Sequence, residues 1–327
     1  MRRLWMCILW IVVPALAGVC CGAADSRLKV VGYVPNWVLT PGYAESLPYS
    51  NLTHLHIAFE NPTNATGGLS HHPVDDLIVA QARRAGVRVL LSVGGGGAAE
   101  NPMMKERYTT LMAPGRRTDF SVSLADHLDR HGLDGLDVDI EGPSITKDYD
   151  GFVKALSEVL RPRGKLLTAA LSQGYGGARV SSATLALFDY INVMAYDAAG
   201  PWSPGAPGQH SSIEFAQTNV TYWLGRGVER SRLILGVPFY GYGFGTAFRN
   251  GVYPYSELVA RFPGAAAVDV VGSTIWYNGI PTIVSKARWA RAEHLGGVMI
   301  WSIDMDAPGP DSLLRAVWST VTAESAP

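Results

Sequence analysis

The stretch Asp134-Gly135-Leu136-Asp137-Val138-Asp139-Ile140-Glu141 places four acids within eight residues. On a β-strand, successive side chains alternate between two faces. Asp137, Asp139 and Glu141 therefore share one face, and Leu136, Val138 and Ile140 share the other. Asp134 has the wrong parity and reads as a strand-entry residue. Carboxyls two residues apart lie roughly 7 Å from one another, and two carboxylates at that spacing repel by about 2–2.5 kcal/mol at an effective dielectric of ~20. The trio is expected to hold at least one proton at neutral pH, which is what a general acid requires. Coupled groups titrate as a set, so no separate pKa values follow. Two other readings remain open on these residues alone. A carboxylate site for Mg2+ or Ca2+ usually draws ligands from several strands and loops. A structural ion-pair cluster needs basic partners, and this strand has none.

The acids need elements to position them. Short apolar runs recur along the chain at 29–33, 53–60, 87–93, 135–141, 166–172, 190–196, 233–240 and 297–303. Amphipathic stretches lie between them: Val74, Leu77, Ile78 and Ala82 form one stripe, Phe120, Leu124 and Leu128 a second, and Phe152, Leu156 and Leu160 a third. A last stretch carries Leu313, Leu314, Val317, Trp318 and Val321. Strands apolar on both faces and alternating with helices predict an α/β protein with a covered parallel sheet. A doubly wound sheet and a (β/α)8 TIM barrel both fit. The count of eight, and the polar or aromatic residues ending most strands, favour the barrel, where those ends converge on one site.

Composition narrows the class. The chain has 327 residues, 47% apolar and 17% charged, with 27 basic and 28 acidic residues. Such a chain packs a core, and it has no strong field to attract nucleic acid or an anionic membrane. Its three cysteines, Cys7, Cys20 and Cys21, all lie in the opening segment. There Arg2 and Arg3 precede an uncharged run from Leu4 to Val19 and small residues to Ala24, the pattern of a signal peptide over 1–24. The run is shorter than the ~20 apolar residues of a spanning helix. Secretion is expected, with residues 25–327 as one catalytic domain acting as a monomer. Cys20 or Cys21 as a lipid anchor is disfavoured by Val19 before Cys20. Removal of the segment would leave no cysteine for disulfide or thiol chemistry.

Four motifs together resemble glycoside hydrolase family 18, the chitinase family. Asp134-x-x-Asp137-x-Asp139-x-Glu141, between Leu133 and Gly142, resembles its acidic signature. Ser92-Val93-Gly94-Gly95 resembles its Ser-x-Gly-Gly strand end, and Met194-Ala195-Tyr196-Asp197 its Met-x-Tyr-Asp strand. Trp301, closing the run from Gly296, resembles the tryptophan of its last strand. The resemblance covers about residues 29 to 320 and implies a (β/α)8 barrel. It also implies catalysis without the enzyme nucleophile of most glycosidases, since this family works by substrate assistance. Glu141 would protonate the glycosidic oxygen while the substrate's own 2-acetamido carbonyl attacks the anomeric carbon. Asp139 would bind the acetamido N–H, and Asp137 would share a proton with Asp139. Tyr196 would donate to the acetamido oxygen, Asp197 would contact sugar hydroxyls, and Met194 would face the same interior. Trp301 would form the apolar floor under the sugar.

Further residues are candidates for the substrate groove: Tyr33, Trp37 and Phe59 near the first two strand ends, and Trp202, Tyr240 and Tyr242 later. Ser92 is expected to hydrogen-bond one of the acids beside the substrate. Gly94-x-Gly96-x-x-Ala99 loosely fits a dinucleotide fingerprint, but no strand ends with an acid about 20 residues on, and Asp119 opens a helical pattern. The glycines read instead as a bend beside the acids, and no cofactor is expected. His54 and His56 share a strand face without a third ligand at suitable spacing, so they read as core and no metal site is expected. Only about 42 residues separate Tyr240 from the helix starting near Thr282, too few for the full α+β insertion of deep-tunnel family members. The expected function is a secreted retaining hydrolase of β-1,4-linked N-acetylglucosamine polymers, a chitinase. An endo-β-N-acetylglucosaminidase on N-glycans or wall polymers, and a non-catalytic chitin-binding lectin, are the alternatives.

Overall fold

The computed structural model describes residues 28–323; the proposed signal segment and all three cysteines lie outside them. Eight parallel strands close into a barrel: β1 (Lys29–Pro35), β2 (His54–Ala58), β3 (Arg88–Gly94), β4 (Gly135–Asp139), β5 (Leu166–Leu171), β6 (Tyr190–Val193), β7 (Leu233–Pro238) and β12 (Gly297–Trp301). They are hydrogen-bonded in the order β1-β12-β7-β6-β5-β4-β3-β2. Each predicted apolar run supplies one barrel strand. The acidic strand sits between β3 and β5, with Ser92 opposite Asp137, Gly94 opposite Asp139, and Asp137 opposite Thr168.

The helices follow the predicted stripes. The helix Arg117–Arg130 buries Phe120, Leu124 and Leu128, and the helix Tyr149–Leu160 buries Phe152, Leu156 and Leu160. Leu136, Val138 and Ile140 are buried in the same apolar cluster as these side chains. One face of β4 is thereby committed to the helix layer, and the acids are left to the barrel interior. Asp134 precedes the strand, and its carboxylate accepts from the Val89 N–H at 2.7 Å.

The runs overshoot at the mouth of the barrel. β4 ends at Asp139 and β6 at Val193, so Glu141, Met194 and Tyr196 lie just beyond their strands. The Met194 N–H still reaches the Leu171 carbonyl at 3.0 Å, but the Ala195 N–H turns back to Val193. Beyond the strand ends, the side chains of Glu141, Met194 and Tyr196 line the opening. The run 233–240 is also divided. Pro238 ends β7, the Phe239 N–H bonds the Trp301 carbonyl, and the chain leaves the barrel. It forms β8 (Tyr240–Gly243), β9 (Tyr253–Pro254), β10 (Val270–Val271) and β11 (Ile275–Trp276), an antiparallel sheet ordered β10-β11-β8-β9. With the helix Tyr255–Arg261 this makes a small α+β element on the rim. A Cβ on Gly241 would stand 2.3 Å from the Trp276 carbonyl oxygen, which is why strand pairing here needs glycine.

Candidate active site

The deepest acid is held by donors from four other strands, two beside it and two across the barrel. One Asp137 oxygen, Oδ2, accepts from the Tyr33 hydroxyl of β1 at 2.7 Å and from the Ser92 hydroxyl of β3 at 2.8 Å. The other, Oδ1, accepts from Thr168 of β5 at 2.6 Å and from the Asn192 amide of β6 at 3.3 Å. His56 Nδ1 lies 3.4 Å from Oδ2, and the opposite ring nitrogen meets the Tyr190 hydroxyl at 3.0 Å. Burial by itself pushes Asp137 upward. The adjacent His56 and the hydrogen bonds of His56, Thr168 and Tyr33 outweigh it and hold the carboxyl below its ordinary value. Asp137 is the ionised member of the trio.

Asp139 has the opposite surroundings. It is buried, and its Oδ1 has no hydrogen-bond partner. Burial, then the neighbouring Glu141 and Asp137, push it well above the ordinary carboxylate range. Asp139 is therefore the acid of the trio driven furthest toward its protonated form. Glu141 is less enclosed and borders open space. Burial, then Asp197 and Glu100, push it up to about 7, the range where a carboxyl can both give and take a proton. The sequence required one proton among three acids; the fold gives each acid a different state.

The glycine run makes room for this. Gly94 and Gly95 adopt φ of +107° and +84°, and the Gly95 N–H bonds the Asp139 carbonyl at 2.7 Å. A Cβ on Gly94 would lie 2.2 Å from that carbonyl oxygen, and one on Gly95 would overlap the Phe59 ring. Only glycine allows both the backbone turn and the approach to the acidic strand.

Above the acids lies an open cleft of about 1370 Å³. Asp139, Glu141, Met194, Tyr196 and Trp301 form its floor, and exposed rings of Trp37, Tyr175 and Trp202 stand on its rim. Trp301 stacks on Phe59 with centroids 5.7 Å apart and tilts against Tyr33 at 5.5 Å. Burial, then Asp139, keeps the Tyr196 hydroxyl well above its ordinary pKa, so it remains a donor. Asp197 sits at φ +66° and accepts from the hydroxyls of Tyr240 at 2.6 Å and Tyr242 at 3.1 Å. Short polar side chains tolerate that backbone region better than most. An apolar floor, a hydroxyl donor and a carboxyl poised near neutrality suit acid catalysis on a ring-shaped polar substrate.

The sequence model of glycosyl hydrolases family 18 matches residues 29–306. The chain belongs to glycosyl hydrolase family 18. The family 18 chitinase ChiB of Flavobacterium johnsoniae superposes with a TM-score of 0.84 and 36% identity, over 90% of this chain and 94% of that one. Probable chitinase 10 of Drosophila melanogaster is 26% identical over 86% of this chain but only 15% of its own length. The oviduct-specific glycoprotein of Ovis aries is 28% identical over 85% of this chain and 63% of its own. The chain thus spans less than two thirds of these two relatives. One of them carries a name that states no hydrolytic activity, so membership of family 18 does not by itself decide catalysis.

Within the family 18 site, the fold brings Asp139, Glu141, Tyr196, Met194, Asp197, Tyr33, Phe59, Tyr240 and Trp301 to one cleft. Two expected residues sit below it. Ser92 is fully buried and does not line the cleft; its hydroxyl is spent on Asp137, because its inward-facing position lies level with that acid. Asp137 does not line the cleft either. Thr168, Asn192, Glu100 and Tyr175 were not singled out from sequence. Thr168 and Asn192 left a signal, each being a polar residue inside an otherwise apolar run. Tyr175 sits in an irregular connection and left none. His56 belongs to the Asp137 network and His54 packs edge-on against Tyr190 at 5.6 Å, as core residues do. Among the described residues no helix is long and apolar enough to cross a membrane.

Proposed function

We propose that this chain is a retaining glycoside hydrolase that cleaves β-1,4-linked N-acetylglucosamine polymers, a chitinase, by substrate-assisted catalysis. The observation that carries the proposal is the placement of Glu141: a carboxyl pushed up to about 7 at the floor of the cleft, beside a neighbouring acid driven toward its protonated form. Glu141 gives its proton to the glycosidic oxygen as the C–O bond breaks. The acetamido carbonyl of the same sugar forms the new bond to the anomeric carbon, and its N–H is oriented by Asp139. The Tyr196 hydroxyl steadies the acetamido oxygen. Water then opens the resulting oxazolinium ring, giving its proton to Glu141 and restoring the starting configuration. Trp301 supports the apolar face of the sugar throughout.

The open rim fits cleavage within a chain. A chitinase is favoured over a lectin because Glu141 is present and held in a protonatable state. We extend the proposal to secretion of a monomer, with residues 1–24 removed as a signal peptide.

The test is proton NMR of chitohexaose early in incubation, with Glu141→Gln alongside. The β-anomer should appear first with the unaltered protein. The variant should lose at least ~10³-fold in kcat, a loss appropriate to a general acid, while still binding the oligosaccharide. Turnover of the variant within a few-fold of the parent would refute the assignment, and primary formation of the α-anomer would refute retention.

A further inference from the structure

A second group of titratable side chains lies away from the cleft. His71 stands on the connection between β2 and the helix Asp75–Arg84, while His127 belongs to the helix Arg117–Arg130 and His131 follows it directly. The spacing of four residues puts His127 and His131 on one helix face, and the fold brings His71 against both. Ring centroids are 3.8 Å apart for His71 and His131, 4.5 Å for His127 and His131, and 5.7 Å for His71 and His127. One nitrogen from each ring lies within 4.8 Å of the others.

We propose that His71, His127 and His131 bind a divalent transition-metal ion, with Zn2+ the preferred occupant, and so clamp the β2 connection to the helix Arg117–Arg130. His127 is 6% exposed, and its Nε2 has no hydrogen-bond partner. A buried imidazole nitrogen left unpaired is unfavourable, and a metal ion would satisfy it. Asp76 supplies the outer support. Its Oδ1 meets His131 Nδ1 at 2.9 Å, and its Oδ2 lies 3.4 Å from His71 Nε2. With Nδ1 donating to this carboxylate, His131 presents the lone pair of Nε2, the arrangement by which carboxylates orient metal-binding histidines. Asp75 adds a second acid 3.9 Å from His71 Nδ1.

Three imidazoles suit zinc, copper or nickel and not the hard ions Mg2+ or Ca2+. Zinc has no geometric preference of its own and takes four ligands tetrahedrally with N···N separations of about 3.3 Å. Closing the site from a spacing of at most 4.8 Å needs ring nitrogens to move together by up to about 1.5 Å, and His71 and His131 are only partly buried. The fourth position is left to water. No member of the trio lines the cleft, so the site acts on the scaffold and can be read without measuring hydrolysis.

The test uses the full chain without a polyhistidine tag, stripped with EDTA. Zn2+ titration by calorimetry should show one equivalent bound with Kd of about 1 μM or tighter. The melting temperature should rise by about 5 °C at a hundredfold excess over Kd, and Mg2+ at the same concentration should not raise it. Co2+ in place of Zn2+ should give the intense visible bands of a four-coordinate nitrogen site. The double variant His71→Gln/His131→Gln changes partly exposed side chains and preserves the circular dichroism spectrum; it should bind at least ~100-fold more weakly, and Asp76→Asn about 10-fold more weakly. Absence of saturable one-to-one binding at about 100 μM Zn2+ overturns the proposal. So does undiminished binding in the correctly folded double variant, which would put the ion elsewhere.

Discussion

Thr168→Val and Ser92→Ala each remove one hydroxyl donor from Asp137, and the structure ranks them. Both hydroxyls and the carboxylate are fully buried, so water cannot replace the lost bond. Thr168→Val is nearly isosteric and leaves Oδ1 with only the Asn192 amide at 3.3 Å. Ser92→Ala leaves Oδ2 with the Tyr33 hydroxyl at 2.7 Å. Hydrogen bonds to a charged group contribute about 1.5–3 kcal/mol, which puts Thr168→Val near the upper value and Ser92→Ala near the lower. The expected loss for Thr168→Val is a fall in melting temperature of about 5–10 °C. The sign with pH follows from the depressed pKa of Asp137. Its stabilisation is present above the unfolded pKa of about 3.9 and is lost as pH falls through the folded value. Losing a donor raises that folded value, so acid unfolding should begin at higher pH in both variants. Urea unfolding at neutral pH and acid titration of circular dichroism measure both effects. The two donors share one carboxylate, so the double variant should depart from additivity by at least ~0.5 kcal/mol. If Ser92→Ala costs more than Thr168→Val, or both cost under ~0.5 kcal/mol, Asp137 is not the ionised anchor described above.

The cleft makes three shorter predictions. The basic limb of kcat/KM should fall at a pH of about 7, as Glu141 loses the proton it must donate, and Glu100→Gln should move that limb lower by removing a nearby negative charge; a pH-rate profile on a chromogenic chito-oligosaccharide reads both, and a limb unmoved in the variant would exclude Glu100 as a contributor. Trp301→Ala should reduce kcat/KM by about 30–150-fold through lost stacking, with far-UV circular dichroism checking that the barrel persists. Gly94→Ala should destabilise by more than ~3 kcal/mol, because the added methyl would lie 2.2 Å from the Asp139 carbonyl at a φ of +107°; a normal urea midpoint would show that the bend relaxes.

The periodicity of the sequence carried the fold well, because the barrel strands are short, mostly apolar runs and each covering helix carries a stripe. Strand parity likewise placed Asp137, Asp139 and Glu141 on one face. What parity cannot express is which partners the other strands bring to that face. Ser92 illustrates the limit: its motif associates it with the acids, but only the register of β3 against β4 sets it level with Asp137 and below the cleft. The break at Pro238 and the pairing of β8 to β11 depend on contacts between segments far apart in the chain, including the Phe239 N–H to the Trp301 carbonyl. The histidine trio escaped for the same reason. His127 and His131 have helical spacing, but His71 joins them through tertiary packing alone.

Barrel closure explains how one strand can carry three carboxyls in three states. In an open sheet, β4 would have only β3 and β5 beside it, and only Ser92 and Thr168 would reach its acids. Closure brings Tyr33 of β1 and Asn192 of β6 across the interior to the same carboxylate. Four strands thus spend their donors on Asp137, which becomes the fixed negative charge at the bottom. None of those donors reaches Asp139 Oδ1, so the next acid up is buried without a partner and beside that charge. That setting favours the protonated form of Asp139 over the ionised one. Glu141, past the end of the strand, faces Asp197 and Glu100 across open space and settles at about 7. Where the donors fall, and not enclosure alone, therefore sets the protonation pattern along β4: the most enclosed acid, Asp137, is the ionised one, and the next, Asp139, is driven furthest toward its protonated form. Moving the donor set up by one pleat would ionise Asp139, remove the proton beside the substrate, and leave the carboxyl below it buried without a partner.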